Sequence, residues 1–340
     1  MTSIPSVASN LARRSRWASL GIGTIVLMAC LVYSITLGAR DIPLRTILDS
    51  FFSFDHSFDH LVIQTVRLPR SLMAMAVGAA LAVSGAVMQG LTRNPLAETG
   101  ILGIEAGGSL AVVLTLFMFG STSLSVYAGA AFLGAAIAAM AVYALGTLGR
   151  GGATPLNLTV AGAAMTAFIA SITTSILIVS QRTLDEIRFW LAGSLSGRDF
   201  DLFLQVLPFL LSGLILAFSL GRQITTMSLG EDIAKSLGQQ TLWVKLLAAL
   251  SVVLLAGSSV AIAGPIGFVG LVVPHMVRFF IKTDYRWILP YTAIVGAILL
   301  LVADIAARVL LKPQELPVGV MTALMGAPVF VYLVKSKVKR

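Results

Sequence analysis

The sequence predicts an all-α membrane protein with about ten transmembrane helices. Of its 340 residues, 57% are hydrophobic and only 11% are charged, whereas about a quarter of the residues in a soluble domain carry charge. Apolar runs of about 20 residues, the length that spans a bilayer, recur along the chain. We therefore expect a single transmembrane domain over residues 17–334. The net charge of +9 does not indicate nucleic-acid binding, because the basic residues are scattered singly and form no basic stripe.

The order of the apolar runs predicts which side of the membrane each connection faces. The runs lie at 17–37, 70–90, 99–119, 124–147, 157–180, 202–221, 241–264, 266–281, 287–311 and 317–334. Ten spans place both termini on one side, and that side then holds fifteen of the 24 Lys and Arg residues. Because cytoplasmic loops are the basic ones, we expect a cytoplasmic tail at 1–16 and a basic cytoplasmic tail at 335–340.

The stretch Gly38–Arg70 is polar, and we expect it to be a solvated loop. Its histidines His56 and His60 have the spacing of metal ligands on a helix, but no third ligand is evident and no metal site is predicted. Cys30 is the only cysteine, which excludes an intrachain disulfide and a thiolate cluster.

A polar island at residues 221–240 predicts a short helix outside the bilayer, at about 228–238. Ser228 and Glu231 have the spacing of a capping box, so we expect the helix to begin between them. Gly238 is expected to end it in a left-handed conformation. Ile233, Ala234 and Leu237 share one apolar face. The helix is therefore expected to dock into a partner; the alternative, lying on lipid, is disfavoured by the carboxylates Glu231 and Asp232 beside an anionic surface.

Two related halves are indicated by an internal echo. A shift of 179 residues superimposes Gly78, Gly85 and Pro95 on Gly257, Gly264 and Pro274. The two copies run in opposite directions, so the sequence predicts inverted repeats of the kind that transporters use. The run Ala263–His275, rich in Gly and Pro, predicts an interrupted span.

Six segments together resemble the FecCD family, the permeases of bacterial ABC importers for ferric siderophores, haem and cobalamin. The segments are RLPR (67–70), GAALAVSGAVMQGLTRNPLAETGILGI (78–104), SLGEDIAKSLG (228–238), AGPIGFVGLVVPHMVR (263–278), ADIAAR (303–308) and ELPVGVMTALMGAPVFVYL (315–333). They occur in one order over about four-fifths of the chain, which makes the resemblance far more specific than any single motif.

The resemblance implies a multi-pass subunit of the bacterial cytoplasmic (inner) membrane. It would pair with a second copy or a homologue, with cytoplasmic ABC ATPases, and with a periplasmic or lipid-anchored substrate-binding protein. The helix at 228–238 would be the ATPase-coupling helix, and its matching positions are Gly230, Glu231, Ala234, Leu237 and Gly238. The docking positions for the binding protein would be Arg67, Arg70 and Arg308. We expect these arginines to be exposed and to pair with carboxylates; the alternative for Arg308 is neutralisation by Asp304, four residues earlier.

The chain departs from the family pattern at two neighbouring positions. Thr99 stands where members with an NPLAEPG motif have proline, and Glu105 stands where small or neutral residues are common. A carboxylate inside an apolar run faces a cavity or a partner, so Glu105 either lines the pathway or pairs within the bundle.

The pathway is otherwise indicated only by one helical face. Thr159, Thr166 and Thr173 recur every seven residues and are candidates to line it, unless their hydroxyls bond to helix carbonyls. The resemblance also places the loop Gly151–Leu156 near the cytoplasmic gate of the family, although Pro155 makes the local match loose.

No catalytic constellation or cofactor motif is present in the sequence. A GxxxxGK[ST] phosphate-binding loop is absent, so the chain is not the ATPase and is expected to be a transport subunit rather than an enzyme. Ferric siderophores are the favoured cargo, with cobalamin or haem as alternatives. A secondary transporter is disfavoured, because Glu105, His275 and Asp304 are little material for ion coupling.

Overall fold

The protein is an all-helical bundle in a computed structural model that describes residues 7–38, 40–121, 123–148, 154–312 and 314–338. Its α-helices are α1 (Val7–Thr36), α2 (Leu44–Phe52), α3 (Phe58–Val62), α4 (Leu68–Thr92), α5 (Ile104–Phe119), α6 (Leu124–Thr147), α7 (Pro155–Val179), α8 (Gln181–Leu191), α9 (Phe200–Ser219), α10 (Gly221–Ser228), α11 (Glu231–Ser236), α12 (Thr241–Ala263), α13 (Val269–Phe280), α14 (Tyr285–Val309) and α15 (Val318–Val338). A π-helical turn, Ile63–Arg67, joins α3 to α4, and a 3₁₀ turn, Thr99–Leu102, precedes α5.

Seven helices in the described part of the chain are long and apolar enough to cross a membrane. They are Ser15–Thr36, Phe58–Thr92, Leu124–Thr147, Leu156–Val179, Phe200–Ser219, Thr241–Ala263 and Tyr285–Val309. Three shorter apolar helices, α5, α13 and α15, match the remaining predicted runs. The all-α membrane class predicted from the sequence is thus confirmed.

Both predicted tails are partly helical. Residues 7–16 belong to α1, and α15 extends to Val338. Residues 1–6 and 339–340 of these tails, and 151–153 of the predicted gate loop, lie outside the described residues.

Helices α4 and α12 form the centre of the bundle. Their apolar segments are 78% and 67% buried, against 17% for α1 and 11% for α7. Glycines let α4 approach its neighbours closely: a Cβ on Gly78 would lie 2.4 Å from the carbonyl oxygen of Gly296 in α14, and one on Gly85 would lie 2.0 Å from that of Gly270 in α13. Small residues at such crossings are how membrane helices pack without a hydrophobic driving force between them.

Replacing Gly85 by alanine is expected to destabilise the protein by about 1–3 kcal/mol, because the new methyl group overlaps main-chain atoms that cannot move independently. Thermal unfolding of the purified protein measures the change. Gly129 is the matched control, since nothing lies within 4 Å of a Cβ there and alanine is the better helix former. Equal unfolding temperatures for Gly85→Ala and Gly129→Ala would contradict the packing argument.

The interrupted span predicted at Ala263–His275 is confirmed. Helix α12 ends at Ala263 and is capped by Gly264, whose φ of +76° suits glycine, and α13 begins after Phe268, which also has a positive φ (+70°). The residue pairing of the internal echo is not reflected in local structure. Gly85 lies inside α4 whereas Gly264 ends α12, and Pro95 lies in a turn whereas Pro274 lies inside α13.

The prediction of a solvated loop at Gly38–Arg70 is wrong. This stretch forms α2, α3 and the π-helical turn. Ile47 of α2 packs with Ile35, Ile42 and Ile63 in a small apolar cluster beside the main core, and the contacts of this cluster explain why the segment folds although Gly, Ser and Phe interrupt its pattern.

Candidate functional site

The polar island folds as two helices with a sharp break between them. Helix α10 ends at Ser228, and Gly230 has φ +132° and ψ 147°, a region that is open essentially to glycine alone. Helix α11 then begins at Glu231. Glycine at position 230 is therefore what allows the chain to turn between the two helices.

The predicted capping box is wrong, whereas the predicted end at Gly238 is confirmed. The Ser228 hydroxyl donates to the Thr225 carbonyl at 2.6 Å and belongs to α10, so it caps nothing in α11. Gly238 has φ +79°. The Gln239 amide donates to the Ala234 carbonyl at 3.0 Å and the Gly238 amide to that of Lys235 at 2.9 Å, which is the Schellman pattern.

One side of α11 packs on the bundle and the other carries exposed aliphatic side chains. Ala234 is fully buried with Met227 and Val244. Leu229, Ile233 and Leu237 are 59%, 47% and 69% exposed; we call these three residues the coupling patch, after the role that the sequence predicts for this helix. Of the apolar face predicted for this helix, Ala234 therefore points inward, while Ile233 and Leu237 remain available to a partner.

Glu231 ties α11 to α12. Lys245 donates to its Oε2 at 2.7 Å, Lys235 lies 3.2 Å from Oε1, and the Thr241 hydroxyl donates to Oε1 at 3.3 Å. The hydrogen bond from Lys245, followed by that from Lys235, lowers the pKa of the Glu231 carboxyl to about 2 although partial burial opposes the shift. No local pattern in the sequence indicated Lys245 and Thr241, which lie 14 and 10 residues away.

The stabilisation that the ion pairs of Glu231 give to α11 is expected to decrease at low pH. Because the folded-state pKa is depressed, the stabilisation is complete above the ordinary value of 4.5 and is lost as the pH falls through about 2. Hydrogen exchange of the α11 amides, corrected for intrinsic rates, should be constant from pH 7 to 5 and accelerate below 4.5. Glu231→Gln should exchange faster at pH 7 and lose this dependence. Identical profiles for the two proteins would contradict the assignment.

Helix α10 is joined to α14. The Thr225 hydroxyl accepts from the Tyr285 amide at 2.9 Å, at the start of α14. A Cβ on Gly221 would lie 3.2 Å from Cα of Arg286, and Gln239 donates to the Gln223 carbonyl at 3.2 Å. Helix α10 is therefore fixed both to the start of α14 and to the segment that precedes α12.

At the opposite end of the bundle, Asp304 holds two buried arginines. Arg70 places Nε and Nη2 each 2.9 Å from Asp304 Oδ1, and its Nη1 donates to Glu315 at 2.7 Å. Arg308 Nε lies 3.0 Å from Asp304 Oδ2, an ion pair without a hydrogen bond, because that N–H points to the Asp304 carbonyl.

Arg67 and Arg308 also cap the C-terminal end of α1, where carbonyl groups lack helical partners. Arg67 Nη1 donates to the carbonyls of Ile35 (2.7 Å) and Thr36 (2.9 Å). Arg308 Nη1 donates to the carbonyls of Ser34 (3.0 Å) and Leu37 (2.9 Å). Cations at this end also complement the helix dipole.

The expected exposure of Arg67, Arg70 and Arg308 is therefore wrong. All three are buried, and the alternative of neutralisation by Asp304 holds for Arg308. Asp304 is a key residue of this end, and its spacing of four from Arg308 was the signal that could identify it.

Thr99 and Glu105, the two residues that depart from the family pattern, are hydrogen-bonded to each other. The buried Thr99 hydroxyl donates to Glu105 Oε1 at 3.1 Å, so the carboxylate pairs within the bundle. Glu98 accepts from the Phe268 amide nearby, where α13 begins. Both carboxylates lie where α5 starts next to the interrupted span.

The threonines of α7 make hydrogen bonds within the chain. Thr173 donates to its own helix at Ile169 (2.9 Å), and Thr166 points to the Gly100 carbonyl at 3.5 Å. Thr159 and Thr166 are half-buried, as is Thr173, whereas Val160, Phe168 and Ile178 of the same helix are exposed. The predicted threonine face therefore points toward neighbouring segments of the chain.

Comparisons with known proteins agree over most of the chain. The model of the FecCD transport family matches residues 26–336. The chain is 47% identical to the "Probable siderophore transport system permease protein YfiZ" of Bacillus subtilis over 96% of this chain and 98% of that protein. It is 40% identical to the ferric enterobactin transport system permease protein FepD of Escherichia coli, covering 93% and 94%. A solved ABC transporter assigned to the metal-chelate type, in an inward-facing conformation, matches with a TM-score of 0.83 at 30% identity, covering 94% and 99%.

Proposed function

The chain belongs to the FecCD transport family, and from this premise we propose that it is the permease subunit of an ATP-driven importer that carries ferric siderophores into the cell. The observation that carries the proposal is its likeness over nearly the full length to siderophore permeases. A permease subunit is a transport component and not an enzyme, so ATP hydrolysis belongs to a separate subunit.

The proposed topology has ten spans with both termini in the cytoplasm of a bacterium and the protein in its cytoplasmic membrane. Helices α5 and α13, with 16 and 12 residues, are shorter than the ~20 residues that cross a bilayer. Each follows an irregular stretch packed inside the protein, which is where non-helical backbone is tolerated at membrane depth. The spans that contain α5 and α13 can therefore begin their helices inside the membrane rather than at its surface. Inverted repeats remain part of this proposal, because α4 and α12 cross the membrane in opposite directions in the proposed topology.

The coupling patch is proposed to dock into the ATPase. The patch is aliphatic, exposed and flanked by polar residues, which is typical of a protein interface. Gly230 sets the turn before it, Glu231 and Ala234 fix α11 to the bundle, and Gly238 ends the helix. Through Lys245 and Thr225 a displacement of α11 would reach α12 and α14, so the site has a physical route for coupling.

The outer end is proposed to receive the substrate-binding protein. Arg67, Arg70 and Arg308 contribute to this end by fixing the positions of α1, α4 and α14, and the exposed cation Arg40 supplies charge for a carboxylate of the partner. In this proposal the three buried arginines do not contact the binding protein directly, because their N–H groups already donate to acceptors within the chain.

A second permease copy or a homologue is proposed to cover α7. This helix is the least buried of the seven candidate spans, and its exposed surface carries Ser171, Thr174 and Ser175 as well as Phe168. Hydroxyl groups on an otherwise uncovered span suit a wet path between two copies. Thr159, Thr166, Thr173 and Glu105 would then lie behind that surface and influence the path indirectly.

Uptake of radiolabelled iron tests the proposal. Cells with the gene deleted or restored receive a ferric siderophore, with the proton gradient collapsed and ATP maintained. Restored uptake is expected under these conditions. Uptake that needs the proton gradient would support a secondary transporter instead. Iron uptake unaffected by the deletion would overturn the siderophore assignment, and the same cells would then be assayed with cobalamin and haem.

A further inference from the structure

Helix α2 divides its surface into three sectors. Each residue of a helix advances about 100°, so Ile47 and Ser50 share one side, and both are buried against the protein. The next sector carries exposed apolar side chains: Leu44 (52%), Leu48 (51%), Phe51 (51%) and Phe52 (85%). The third sector carries Arg45 and Asp49, which are exposed and lie 3.9 Å apart.

The helix lies level with the end of a span. Ile47 packs in one cluster with Ile35, which belongs to the last turn of α1. Gln64 in the turn before α4 donates to the Ser50 carbonyl at 2.7 Å. These contacts hold α2 against the outer ends of α1 and α4 and orient its apolar sector away from the bundle.

We infer that α2 lies in the plane of the membrane's outer surface, with Leu44, Leu48, Phe51 and Phe52 among the acyl chains of phospholipids and with Arg45 and Asp49 in the headgroup layer. A short helix with one strongly apolar and one charged face is the form that settles at this interface. Because α2 lies beside the end of the span α1, lipid is the partner expected to cover its apolar sector.

Continuity of the apolar surface supports the same occupant. The apolar segment of α1 is only 17% buried, and Val32 and Tyr33 near its end are 41% and 58% exposed, so lipid is expected to cover this part of α1 beside α2. Phe58 and Leu61 of α3 are exposed and extend the apolar surface. Arg45 is positioned to contact lipid phosphates from the charged sector. Helix α2 therefore anchors the end of the bundle that the buried arginines hold together.

Spin labelling in phospholipid vesicles tests the inference. Single cysteines are introduced as Leu48→Cys, Phe52→Cys, Arg45→Cys and Asp49→Cys in a Cys30→Ala background, each is given a nitroxide, and collisions with oxygen and with a water-soluble nickel chelate are measured. Val32→Cys in α1 is the lipid reference. The ratio of oxygen to nickel collisions at positions 48 and 52 should match that at 32, whereas positions 45 and 49 should favour nickel.

Two results would overturn the inference. Nickel collisions at 48 and 52 as frequent as those at 45 would place the apolar sector in water, where a soluble protein could cover it. Shielding of 48 and 52 from both reagents would place the sector against protein. All four side chains are exposed, so the variants should fold, and a thermal unfolding scan of each verifies this. The readout does not involve transport, so it stands or fails independently of the proposed cargo.

Discussion

Replacing Ile233 by aspartate is expected to reduce ATP-driven uptake by at least about 100-fold while the permease still folds and inserts. Ile233 is the centre of the coupling patch and is about half exposed in the single chain, so a carboxylate costs little there. In a complex with the ATPase the same carboxylate would be buried without a partner, which costs several kcal/mol. Uptake of ferric siderophore and co-purification of the ATPase measure the two consequences.

Ile233→Leu is the matched control for this variant. It preserves the volume and apolar character of the side chain, and uptake should stay close to that of the unchanged protein. The unfolding temperatures of both variants should be equal within error. If Ile233→Asp transports normally, the coupling patch is not the contact with the ATPase, although the family assignment would stand.

Replacing Asp304 by alanine is expected to lower the free energy of unfolding by about 3–5 kcal/mol, because two buried guanidinium groups lose their shared carboxylate. Glu315 would remain as a partner of Arg70, whereas Arg308 would keep only carbonyl and hydroxyl acceptors. The loosened contacts join α1, α4 and α14. Thermal unfolding in lipid nanodiscs, together with the amount of folded protein recovered, measures the loss.

Asp49→Ala provides the comparison, because its ion pair with Arg45 is exposed and 3.9 Å long. Exposed pairs of this kind contribute little to stability, so the unfolding temperature should hardly change. A loss at Asp304 no greater than the loss at Asp49 would refute the view that the buried cluster holds α1, α4 and α14 together.

The sequence predicts the helices well because the bilayer imposes one rule on all of them. A run of about 20 apolar residues has few alternatives to a helix in lipid, and each predicted run corresponds to an observed helix. Interruptions were also predictable where glycine was required, as at Gly238 and Gly264, because a left-handed backbone leaves a local signature in the sequence.

The hydrogen-bond or ion-pair partner of a side chain was predictable only where the two residues lie a few positions apart in the sequence. Ser228 has two acceptable hydrogen bonds, one as a cap and one to the carbonyl three residues earlier, and the pattern alone does not choose between them. The burial of Arg70 depends on Asp304, 234 residues away. Helix α2 was missed because its nine residues gain their stability from packing against α1 and α4 rather than from propensity.

The hydrogen bond between Thr99 and Glu105 makes a change at one of these positions costlier than a change at the other. Proline has no hydroxyl group, so a Thr99→Pro change made first would strand the Glu105 carboxylate beside Glu98 without its donor. A change of Glu105 to a neutral residue made first leaves Thr99 with a hydroxyl group that can bond elsewhere. Loss of the threonine hydroxyl alone is therefore expected to be the costlier of the two single changes, because it leaves a buried carboxylate without this donor.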